Sequence, residues 1–174
     1  MAKKSYSQPV DINGRPINGL ATWKKKNPKR LYFDSKFEWE CYKLLKAAKF
    51  HFDFHPETRT VLEGFKSWAL SKGKVRKLNR STVRPITYTS DFAVYCNDGT
   101  TVFIEAKGFF HKDARMRYKL FQASLSKDEV SLLAFDKQDN LRDIKAIIKI
   151  IEDHYGGSSI DGKQKARENK ITRI

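Results

Sequence analysis

A mixed α/β fold, one sheet of parallel and antiparallel strands flanked by helices, is predicted by three features of this chain. Apolar residues recur at helical spacing from Phe37 to Ala48. Two β-rich runs, Ile86 to Cys96 and Thr100 to Ala106, are joined by Asn97-Asp98-Gly99, a strong hairpin turn. A helix, a strand and another helix then follow, so the crossover after Gly108 makes Val130 to Phe135 parallel to the strand that ends at Lys107.

Residues 1–32 carry Asn13-Gly14, Asn18-Gly19, prolines and the run Lys24-Lys25-Lys26-Asn27-Pro28-Lys29-Arg30, which reads as a loosely ordered basic arm. The main domain is expected over 33–155. Ser35 and Glu38 have capping-box spacing, and Phe37, Cys41, Leu44, Leu45 and Ala48 give the helix behind them one apolar face, to about Lys49. Phe50, Phe52 and Phe54 alternate with His51, Asp53 and His55, the pattern of a strand with one apolar side. Val61 to Trp68 offers a further strand. From Ser71 to Arg84 there are six basic residues, Lys72, Lys74, Arg76, Lys77, Arg80 and Arg84, and no acidic one, which predicts a loop or mobile hairpin suited to phosphates. Beyond the hairpin come a helix from about Asp113 to Leu125, a buried strand at Val130 to Phe135, and a helix from about Leu141 to His154. Gly156-Gly157 closes that helix, and 156–174 reads as a flexible basic tail.

At 174 residues the chain is long enough to bury a core, and its composition, 40% hydrophobic and 13% aromatic, is globular. Its formal charge of +15 predicts a polyanionic partner. Nucleic acid is favoured over membrane, because no apolar run approaches the roughly 20 residues of a membrane span. The opening MAKKSYSQPV lacks a signal peptide's apolar region, so a cytoplasmic protein is expected. Cys41 and Cys96 fall in helical and strand patterns and read as core thiols of a reducing compartment.

Asp91 and Glu105 are the candidate catalytic acids. They lie on partner strands about the turn at Asp98, so both carboxylates can reach the same end of the sheet. Strand alternation puts Glu105 and Lys107 on one face and turns Ala106 away, leaving its carbonyl available as a further ligand. Hydrolysis of a phosphodiester needs a deprotonated water and neutralised phosphate oxygens, a task for hard divalent cations held by oxygen ligands. A lysine there orients or helps deprotonate the water, or stabilises charge on the phosphate. Glu38 stands where a capping box needs a glutamate, but also at the border of the apolar helix face, turned partly inward.

Thr89-Ser90-Asp91-Phe92, then Glu105-Ala106-Lys107-Gly108, resembles the motif of the PD-(D/E)xK nuclease superfamily, with Ser90 where proline is usual. Asp34-Ser35-Lys36-Phe37-Glu38 is similar to that superfamily's glutamate-bearing first helix, and within it the phage Holliday-junction resolvases look closest. The resemblance spans roughly residues 33 to 135. It implies a restriction-endonuclease-like core and Mg²⁺ or Mn²⁺ bound by Asp91, Glu105 and the Ala106 carbonyl. It further implies that Lys107 assists the chemistry and that Glu38 serves a second metal or the water. The basic insert at 71–84 stands where those resolvases have a short connection through which subunits exchange strands.

Several residues have plainer readings. His51, Asp53 and His55 could hold a metal, but the wet side of an edge strand accounts for them. Lys112, Arg115, Arg117 and Lys119 are a solvated helix face or a hold on the DNA backbone. Trp23, Trp39 and Trp68 are packing residues or base-stacking platforms. The expectation is therefore a Mg²⁺-dependent endonuclease for branched or distorted DNA, and a homodimer would supply the two cuts that a symmetric junction needs. The alternatives are a nicking or flap nuclease, a transposase-type end-cleaving subunit, and a nuclease-fold module that only binds nucleic acid.

Overall fold

Residues 8–70, 72, 77–108, 111–135 and 141–171 are described by the structure, a computed structural model. The first part of the chain holds β1 (Val10–Asp11), α1 (Leu20–Lys26), β2 (Tyr32–Phe33), α2 (Lys36–Ala47) and β3 (Phe52–Phe54). Next come β4 (Arg59–Leu62), β5 (Phe65–Leu70), β6 (Leu78–Val83), β7 (Ile86–Tyr88), β8 (Phe92–Tyr95) and β9 (Thr101–Lys107). The last part holds α3 (Lys112–Ala123), β10 (Glu129–Phe135), α4 (Arg142–Tyr155) and α5 (Ile160–Ile171).

The fold is α/β, with a central sheet ordered β10-β9-β8-β3. β8 and β9 form the expected antiparallel hairpin, closed by Gly99 at φ 93°, and β10 returns parallel to β9 with Ala134 beside Ala106. Two layers cover the sheet. On one face Phe37, Cys41 and Leu45 of α2 and Ile144, Ile147 and Ile151 of α4 pack on Val94, Val102, Ile104 and Ala134. On the other, Tyr118 and Phe121 of α3 pack on Ala93 and Phe103. β9 is buried along its length up to Lys107, which is why it reads as a run rather than an alternation. Arg59 braces the second layer: it forks onto Glu129, with nitrogen–oxygen distances of 2.5 and 2.9 Å, and its guanidinium lies over Phe103 and Phe121. Both cysteines are buried, and neither is in a disulfide.

Four expectations need correction. The predicted basic arm is folded onto the body from residue 8: Val10 and Ile17 are buried, β1 pairs with β2, and the Trp39 indole donates to the Ile12 carbonyl. Gly14, at φ 74°, leaves room for that ring, since a Cβ there would stand 2.6 Å from it. The predicted flexible tail forms α5, whose Lys163 pairs with Asp53 at 2.6 Å and whose Ala166 is buried. The strand predicted from Ile86 to Cys96 is broken at Thr89–Asp91, so Asp91 stands just before β8 rather than within a strand. Finally, His55 leaves the alternation of β3: at φ 48° it turns from the strand and faces Glu38.

Among the described residues no helix is long and apolar enough to cross a membrane.

Candidate active site

The hairpin register brings the two acids together. Phe92 lies opposite Ile104, so one step further out Asp91 and Glu105 face each other. Both are buried, at 8% and 3% exposure. Asp91 Oδ2 accepts from the Ala106 backbone N–H at 2.7 Å, which fixes the carboxylate against β9. The Lys107 ammonium bridges them, 2.7 Å from Glu105 Oε1 and 3.6 Å from Asp91 Oδ2.

Glu38 enters from the opposite layer. Ser35 caps α2 by accepting from the Glu38 N–H at 3.1 Å, and the Glu38 carboxylate turns back to accept from the Asp34 N–H at 2.6 Å. Its other oxygen meets His55 Nε2 at 2.8 Å. The His55 ring stacks on Phe54 with centroids 3.9 Å apart, and its backbone N–H bonds the Asp91 carbonyl at 2.8 Å. His55 thus links Glu38 to the segment that carries Asp91.

Charge accumulates here at a cost. Burial first, then the neighbouring Glu105 carboxylate, push the Asp91 carboxyl well above the ordinary carboxylate range, and Glu38 adds to the effect. Burial works to lower the Lys107 ammonium, but Asp91 and Glu105 outweigh it and hold its pKa above the usual lysine value. Lys107 is therefore held as a cation by the two carboxylates beside it. Burial also works to lower the His55 imidazole, and Glu38 more than reverses it. Burial and the charge of Glu105 push the Tyr88 phenol up.

The donors fit a hard divalent cation. Glu105 Oε2 is buried with no well-formed hydrogen bond among the described residues, the Tyr88 hydroxyl near Glu105 being close enough to feel the carboxylate but not in bonding geometry. This costs about 1–3 kcal/mol that a ligand to that oxygen would remove. Asp91, crowded by like charge and burial, would be relieved by the same cation. A second set lies alongside: Asp34, Glu38 and His55 offer ligand atoms all within 4.8 Å of one another.

Asp91, Glu105 and Lys107 are thus brought together and Glu38 joins them through its field, while Asp34, given no role from sequence, and His55, read there as the wet side of an edge strand, are its neighbours. Asp34 was legible beside the capping box, and Pro56 directly after His55 marks the end of the strand but not the turn of the His55 ring toward Glu38. Of the predicted nucleic-acid contacts, Lys72, Lys77, Arg80 and Arg84 are exposed, as are Lys112, Arg115, Arg117 and Lys119 on α3. Lys74 and Arg76 lie outside the described residues. Trp23 packs edge-on against Tyr32, Trp39 anchors the arm, and Trp68 is exposed.

Fold and site together define a mixed α/β protein with a buried acid–lysine cluster at the C-terminal end of its central strand. Residues 22–146 match the family described as "Protein of unknown function (DUF1064)", and the chain belongs to that family. No curated protein and no solved structure matches the chain.

Proposed function

We propose that this protein is a divalent-metal-dependent DNA endonuclease that hydrolyses phosphodiester bonds, selects branched or distorted DNA, and works in the cytoplasm. The observation that carries this reading is the convergence of Asp91 and Glu105 on one ammonium, with a Glu105 oxygen left unpaired in the interior. A module that only binds nucleic acid gains nothing from buried carboxylates, which repel phosphate.

Asp91, Glu105 and the Ala106 carbonyl would hold Mg²⁺ or Mn²⁺, with Glu38 serving a second ion or the water. Such a cation supplies the positive charge that acidifies the attacking water and offsets charge on the phosphate oxygens. Lys107, an ammonium beside the two acids, would donate a hydrogen bond to the phosphate, where negative charge grows in the transition state. His55 holds the Glu38 carboxylate in place. Exposed cations on α3, just beyond Lys107 in the chain, suit the flanking phosphates.

Incubation of the protein with a labelled four-way junction, a flap and a linear duplex, in Mg²⁺ or Mn²⁺ and in EDTA, tests this reading. Metal-dependent cutting of the branched substrates is expected. Equal cutting of every substrate leaves a nonspecific nuclease, and tight binding without cutting leaves a binding module.

A further inference from the structure

β5 and β6 form a ribbon that stands apart from the rest of the fold. Among the described residues they pair only with each other, and β6 is exposed from end to end. A lone two-stranded ribbon is marginally stable in water, so its apolar side chains gain from being covered.

The two faces of the ribbon differ. Register sets Lys66 against Thr82 and Trp68 against Arg80, and strand alternation puts these four on one face. Ser67, Ala69, Asn79 and Ser81 fall on the other, with the Phe65–Val83 pair at its end. Trp68 is 58% exposed, and the Arg80 guanidinium lies 4.7 Å from the centre of its ring. From Lys66 to Arg84 the sequence contains no acidic residue. A second copy of the chain would set these cations against their own kind, whereas phosphate complements them.

We propose that the Lys66–Trp68–Arg80 face reads unstacked bases, and so supplies the selectivity of the nuclease described above, on which this inference rests. An intact duplex offers no base face to an indole. A flap, a single strand or a branch point does, and Trp68 stacks on it. The Arg80 guanidinium over one face of the ring leaves the opposite face for a base, and its N–H groups hold the adjoining phosphate.

Binding in EDTA, read by fluorescence anisotropy on a 5′-flap oligonucleotide, a single strand and a blunt duplex of equal length, tests the inference. Trp68→Leu, which keeps an apolar side chain but no ring, is expected to weaken flap and single-strand binding by roughly five- to a hundred-fold, the size of one base–aromatic stack. Duplex binding should change little, and Trp68→Phe should restore most of the loss. An unchanged flap-to-duplex ratio in Trp68→Leu, or an equal loss on all three substrates, overturns the proposal. So does a shift from dimer to monomer with DNA affinity intact, which would assign the face to a second copy. Binding is measured without metal, so the presence or absence of Mg²⁺-dependent cutting bears on the nuclease reading alone.

Discussion

Asp91 sits where a carboxylate is least comfortable, buried, opposite Glu105 and near Glu38, with one ammonium to balance the three. Asp91→Asn keeps an acceptor for the Ala106 N–H and deletes a charge that repels phosphate. It should abolish cutting while leaving junction binding unchanged or tighter, as a gel-shift alongside the cleavage assay would show. The same residue makes a stability prediction for the metal-free protein. Its folded pKa lies above the unfolded value near 4, so the folded state is penalised increasingly as pH rises through that interval. Thermal melts in EDTA should therefore show wild type losing stability toward neutral pH relative to Asp91→Asn. A slope of melting temperature with pH that is the same in both proteins would separate Asp91 from this penalty. Lys107→Ala removes a single charged donor and should slow cleavage by roughly 10²- to 10³-fold.

The elements that locate the site were legible because their signals are local. Helical spacing marks α2, turn chemistry marks the β8–β9 hairpin, and a short apolar run marks β10. Ser35 shows how directly such a signal positions chemistry. Ser35→Ala should cost about 1 kcal/mol in denaturant unfolding and loosen the helix end that presents Glu38. The arm and tail were illegible because long-range contacts hold them. Val10 and Ile17 are isolated apolar residues, buried only once the chain folds back to pair Val10 with Phe33 of β2, and α5 has no apolar stripe. α5 docks through Gly162, where a Cβ would collide with the Cys96 carbonyl, and through Lys163 on Asp53. Burial works to raise the Asp53 carboxyl, but Lys163 and the Tyr95 hydroxyl outweigh it and hold it below its usual range. This contribution is present above about pH 4 and is lost as pH falls through the lowered folded value. Hydrogen exchange should show α5 amides less protected at pH 3 than at pH 7. Gly162→Ala should expose them at both.

At the scale of the whole molecule, a body of net charge +15 surrounds a buried acidic centre, so attraction to DNA and the chemistry on it are separable. Neutralising Lys72, Lys77, Arg80 and Arg84 together should weaken binding and flatten its salt dependence, by about 0.9 in slope for each phosphate no longer neutralised, with the cleavage chemistry intact at saturating DNA. Unchanged affinity and slope would remove the ribbon from the interface. The reading of the centre depends on Asp91 and Glu105 sharing a cation in place of the lysine that now spans them. Anomalous diffraction from crystals grown with Mn²⁺ tests this, with a peak between the two carboxylates, touching the Glu105 oxygen that is otherwise unpaired, as the predicted result. Saturating Mn²⁺ with no peak there, and Lys107 still bridging both acids, would contradict it.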